Sequence, residues 1–128
     1  MDIISFSFAH SGPSAAECFL YSVVREGGAV RLYTEGLYSG GKTVEASVDG
    51  EVLKRLGGIA RRCGMDRWNG FNKVDKTVPN GSGFSLFITL PGGKSITARG
   101  TNRFPEGYEY AEREICAVFD ELIARYGG

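Results

Sequence analysis

The segment Gly36-Leu37-Tyr38-Ser39-Gly40-Gly41-Lys42-Thr43 has the G-x-x-x-x-G-K-[ST] spacing of a phosphate-cradling loop. Ile115-Cys116-Ala117-Val118-Phe119-Asp120 has the apolar run closed by an aspartate that positions magnesium in nucleotide hydrolases. In that chemistry the glycines let backbone N–H groups approach the phosphates, the lysine neutralises them and the hydroxyl ligates the metal. Such a loop follows a strand and opens a helix, whose N-terminal N–H groups face the phosphates. Here the residues after the lysine, Thr43 to Val48, alternate as a strand, and Asp120 falls inside the strongest helical pattern of the chain. The context therefore argues for a hairpin loop with paired glycines. A small hydrolase or nucleotide-binding enzyme stays as an alternative reading.

His10 is the only histidine, so a metal site needing two imidazoles is excluded, and any Ser-His or Cys-His catalysis must run through it. It stands beside Ser11 and Ser14 in a turn-forming stretch, where a histidine is ordinarily just solvated. Cys18, Cys63 and Cys116 cannot all pair with one another, and none has C-x-x-C spacing. They read as reduced thiols, with Cys18 and Cys116 on apolar patterns that favour an inert core role. No metal, cofactor or catalytic residue is expected. The remaining cluster is Arg61, Arg62, Arg67, Trp68, Phe71 and Lys73, cations interleaved with aromatics as in single-stranded nucleic-acid sites. Against that, a lone tryptophan between a helix and a strand commonly plugs the core while its cationic neighbours are solvated.

These residues need elements to position them. Ile4, Phe6 and Phe8 alternate with serines, the period of a half-buried strand. Glu17 to Arg25 reads as a central strand, Glu26-Gly27-Gly28-Ala29 as a hairpin turn, Val30 to Glu35 as its partner and Thr43 to Val48 as a fourth strand. Asp49 caps a helix along which Val52, Leu53, Leu56, Ile59, Ala60 and Cys63 recur, stopped by Gly64. Strands follow at Lys73 to Val78, Phe84 to Leu90 and Ser95 to Arg99, and Pro105 opens a final helix. Strands grouped around single helices predict an α+β domain spanning 1–128. Its single antiparallel sheet has about five to seven strands in the order β-β-β-β-α-β-β-α, with both helices on one face.

Composition agrees with a folded domain: apolar residues make up 42% and charged residues 23%, while the 19 glycines imply many tight turns. Net charge is zero, yet residues 52–103 carry ten basic and two acidic side chains and residues 104–128 two and six. The basic middle is either a face or a field cancelled by the acidic ends, and burial of Trp68 with the last helix near those cations predicts cancellation. No apolar run could span a bilayer, and the start lacks the basic residues of a secretory signal, so a cytoplasmic protein without a membrane partner is expected.

The succession Trp68-Asn69-Gly70-Phe71, Asn80-Gly81-Ser82-Gly83-Phe84, Gly92-Gly93-Lys94 and Gly100-Thr101-Asn102-Arg103-Phe104-Pro105 resembles a family of small uncharacterised bacterial proteins. That family shares a W-x-G-F, D/N-G-x-x-F/W, G-x-N-x-F-P pattern before a closing helix. The resemblance covers about the C-terminal half of the chain. It implies a bacterial origin and the strand-hairpin-helix order, and brings no activity or site residue. With no catalytic constellation that survives its context, the expectation is a non-catalytic binding or protein-interaction module, its partner another protein or a second copy. Nucleic-acid or polyanion binding through residues 52–103 is the alternative.

Overall fold

A computed structural model of the chain describes residues 2–36, 43–79 and 81–127. Seven strands form one sheet: β1 (Ser5–Ser11), β2 (Phe19–Glu26), β3 (Ala29–Gly36), β4 (Val44–Val48), β5 (Asn72–Val74), β6 (Gly83–Thr89) and β7 (Ser95–Thr101). Their order is β4-β3-β2-β1-β6-β7-β5. Two helices, α1 (Glu51–Arg62) and α2 (Tyr108–Tyr126), lie on one face of it, as the grouping of strands and helices predicts.

The period-two patterns decide which face is covered. Register places Phe6, Phe8 and His10 of β1 beside Val23, Tyr21 and Phe19 of β2 on one side, and beside Ile88, Leu86 and Phe84 of β6 on the other. The first two members of each set, with Leu32 and Thr34 of β3 and Ile96 and Ala98 of β7, are buried. Helix α2 seals this layer with Phe119, whose ring stacks 4.5 Å from Tyr21 and 6.3 Å from Phe6. Helix α1 contributes Leu53, Leu56, Ile59 and Ala60 to the same core. Its start is secured as the sequence suggests, although Gly50 occupies the capping position: Asp49 Oδ1 accepts the Glu51 N–H at 2.9 Å.

Three local expectations need correction. The sheet is mixed, because β5 pairs with β7 in parallel after the chain crosses over through α1. Strand β5 is also shorter than Lys73 to Val78, because Asp75 Oδ1 accepts both the backbone N–H of Thr77 (2.9 Å) and its hydroxyl (2.6 Å). That local turn draws the backbone out of the ladder. Helix α2 begins at Tyr108, after Gly107 at φ +83°, and Pro105 instead supplies the carbonyl that accepts the Tyr108 N–H at 3.1 Å. No helix among the described residues is long and apolar enough to cross a membrane.

Candidate functional site

The phosphate-loop spacing gains no support from its surroundings. Leu37 to Lys42 lie outside the described residues, but the next element along the chain is strand β4 rather than a helix, and Asp120 sits within α2. No helix N-terminus therefore succeeds the glycines, and the magnesium-type aspartate has no strand to stand on. Among the described residues no group of three or more His, Cys, Asp or Glu side chains is arranged to hold a metal.

The basic and aromatic cluster divides. Trp68 is 4% exposed, packed 5.9 Å from the Tyr108 ring and 6.3 Å from Phe84, so no base could stack on it. Phe71 is half-buried against Phe84, and Lys73 Nζ stands 5.3 Å above its ring. Arg67, Trp68 and Phe71 border one cleft of about 480 Å³. Arg61 and Arg62 project from the end of α1, where Arg62 donates to Glu114 at 3.1 Å. Two turns earlier in that helix, Arg55 donates to Glu121 at 2.8 Å and holds that carboxyl below its ordinary pKa. The acidic last helix thus lies against Arg55 and Arg62, while Arg61, Arg67 and Lys73 enter no ion pair among the described residues.

The three thiols are half-buried rather than buried. Cys18 precedes β2 instead of lying within it, and its Sγ donates to the carbonyls of Ser14 (3.5 Å) and Gly12 (3.7 Å). Burial on α2, with Glu112 and Asp120 on either side, pushes the Cys116 thiol up to about 12.

The residues that do converge are ones the sequence separates by most of its length. His10 closes the helix-covered face of β1, and its Nδ1 lies 2.8 Å from the Tyr108 hydroxyl in the first turn of α2. Its ring stacks 5.7 Å from Phe19, 6.2 Å from Phe104 and 6.1 Å from Tyr108. Phe104 in turn packs on Phe84 and Tyr108. Burial, with the nearby Glu112 carboxylate, raises the Tyr108 pKa and keeps the phenol protonated. The only acceptor it has among the described residues is His10 Nδ1, so we assign the lone pair of the neutral ring to Nδ1 and its proton to Nε2.

Space surrounds this pair. One cleft, about 660 Å³, is bordered by His10, Phe104, Tyr108, Tyr110, Glu112 and Arg113. Two others of about 390 and 350 Å³ also end on His10. Its hydrogen-bond partner is a phenol rather than a carboxylate or thiol, so the pair lacks the orienting acid or nucleophile of a catalytic dyad. Nothing in the residue spacing could have joined positions 10 and 108. The one available signal is the aromatic density of Phe104 and Tyr108 around Pro105. No protein-family profile matches the chain, and no curated protein matches it.

Proposed function

We propose that the protein is a non-catalytic binding module whose ligand seat is the cleft between His10 and the start of α2. The observation that carries this reading is the Tyr108 hydroxyl on His10 Nδ1 at the head of the aromatic-walled cleft of about 660 Å³. Concave aromatic walls with a few converging polar groups are what small-ligand sites use. The His10 N–H, the aromatic faces of Phe104 and Tyr108 and the Arg113 guanidinium suit a planar molecule carrying a hydrogen-bond acceptor. A bacterial cytoplasm is the setting we propose, supported by three cysteines without a disulfide. Polyanion binding through residues 52–103 is the weaker reading, because Arg55 and Arg62 already face glutamates of α2 and Trp68 is covered.

Since the chain has one histidine, its imidazole gives a single set of ring resonances. Screening planar aromatic carboxylates and amides by proton and nitrogen NMR should find compounds that move the His10 ring signals together with the amides of Tyr108 and Tyr110. Hits that move only residues 61–73, or hydrolysis of a screened ester that His10→Ala abolishes, would replace this reading.

A further inference from the structure

No helix among the described residues covers the face of the sheet away from α1 and α2, and register arranges that face in rows. One row runs Glu35 of β3, Leu20 of β2, Ala9 of β1, Ser85 of β6 and Arg99 of β7. The next runs Tyr33, Ser22, Ser7, Phe87 and Thr97. A third runs Arg31, Val24, Ser5, Thr89 and Ser95. The middle is small and weakly polar, with Ser5, Ser7 and Ala9 along β1 as a shallow furrow, and Phe87 is 45% exposed beside it. The flanks differ in charge: the β3 and β4 side carries Glu35 and Glu45 with Arg31, which donates to Ser47 at 2.9 Å, and the β7 side carries Arg99. The Tyr33 hydroxyl donates to Glu35, and neither Glu35 nor Arg99 enters an ion pair among the described residues.

This pattern is self-complementary. Strand β1 lies midway between β3 and β7, with β2 and β6 between, so Glu35 and Arg99 are each about 10 Å from it at a strand spacing of about 4.8 Å. A two-fold axis running along β1 between two facing sheets sets β3 of one copy over β7 of the other, β2 over β6, and β1 over itself. Glu35 of each copy then faces Arg99 of the other, Ser22 faces the protruding Phe87, Tyr33 faces Thr97, and Ala9 and Ser7 meet their own counterparts. The tilt of about 30° usual between packed sheets displaces the flanking charges by about 5 Å, within reach of an arginine side chain. Seven strands at this spacing, each about 25 Å long at most, present on the order of 700 Å² per copy, close to the area per partner of a standard interface.

We propose that this face joins two copies of the chain into a face-to-face dimer, with the Glu35 flank of each set against the Arg99 flank of the other. The dimer leaves the His10 cleft on the opposite face, so it does not depend on that cleft binding a ligand.

Sedimentation equilibrium of the full chain at low and moderate salt tests it, with circular dichroism to verify that every variant is folded. The native chain should dimerise at micromolar concentration. Glu35→Arg or Arg99→Glu alone sets like charges against each other at two places per dimer and should weaken association at least about tenfold. The double variant carrying both changes restores opposite charges and should recover most of the native association. A chain that stays monomeric up to about millimolar concentration at low salt overturns the proposal. So does a dimer indifferent to either single reversal, as one formed through the edge of β4 would be. Failure of the folded double variant to regain what the single ones lose would also overturn it.

Discussion

At residue scale, the molecule's most informative contact is the one that reverses the expectation for His10. In sequence His10 reads as a solvated loop residue; in the fold it lies near the end of a covered strand, hydrogen-bonded to a phenol 98 residues away. Tyr108→Phe isolates that contact because it keeps the ring that packs on Trp68, Phe84 and Phe104 and removes only the hydroxyl. Stability should fall by no more than about 1 kcal/mol, the usual net worth of one hydrogen bond. The imidazole nitrogen spectrum should shift from a single Nε2–H tautomer toward a mixture, and unchanged nitrogen shifts would remove the tautomer assignment. The thiols give a second expectation. A cysteine attacks a thiol reagent as its thiolate, and a thiol pushed up to about 12 is ionised to only about one part in ten thousand near pH 8. Cys116 should therefore react last in the native state. Cys18, half-exposed outside β2, should react readily, contrary to what its apolar neighbours in sequence suggest. Because the folded value is raised, Cys116 stabilises the fold fully below its unfolded pKa, and that contribution drains away as pH rises toward 12. Rapid native labelling of Cys116, followed by mass spectrometry of its peptide, would contradict this ordering.

At the scale of elements, the stretch from Gly81 to Pro105 proves to be joinery. Asn102 is the one residue other than glycine with positive φ (59°) among those described. Its Oδ1 accepts the Ser82 N–H at 2.9 Å, and its Nδ2 donates to the carbonyls of Asp75 (2.9 Å) and Val78 (3.3 Å). The residue after β7 thereby clamps the connection between β5 and β6. Gly100 lets the chain fold back after β7, since a Cβ there would lie 2.0 Å from the Arg103 carbonyl oxygen. Asn102→Ala loses all three side-chain bonds and leaves a Cβ at positive φ without the amide that makes this conformation tolerable, which should cost about 2–3 kcal/mol. Asn102→Gly loses the same bonds without the backbone strain and should cost less. Urea unfolding of both variants checks the difference, and equal losses would assign the effect to the hydrogen bonds alone. Strands β1 to β4, β6 and β7 and both helices were legible because their apolar residues keep a period of two or 3.6 over five or more residues. Strand β5 was not, because its three residues are all exposed and carry no period, and its direction depends on where α1 delivers the chain. The His10 site was illegible for a related reason: its members come from β1, the segment before α2 and α2 itself, and only the closed sheet brings them together.

For the molecule as a whole, the electrostatic plan sets the acidic last segment against part of the basic middle one, and only with residues 1–51 does the net charge reach zero. The basic segment 52–103 supplies Arg55 and Arg62 on α1, and the acidic segment 104–128 supplies Glu121 and Glu114 on α2, at 2.8 and 3.1 Å. All four side chains reach solvent, so these bridges contribute little individually and are weakened by salt. Their effect is read most directly in the pH response. The Arg55 hydrogen bond and charge hold the Glu121 carboxyl below its ordinary value, so the ionised form is favoured in the folded chain more than in the unfolded one. A group depressed in this way adds stability above its unfolded pKa, and the contribution is lost as pH falls through the folded value. As pH falls through the ordinary glutamate range the unfolded chain takes up the Glu121 proton before the folded chain does, which steepens the loss of stability on acidification. Glu121→Gln removes the titration while leaving an amide that can still accept from Arg55. The variant should fall slightly below the native chain at pH 7, approach it as pH falls through the folded value of Glu121, and show a shallower dependence of melting temperature on pH in between. Arg55→Gln should produce the same flattening from the other side of the bridge. Native and Glu121→Gln melting curves that stay parallel from pH 7 to pH 3 would mean that the α1–α2 bridge does not persist in solution, and would return the basic α1 surface to consideration as a polyanion site.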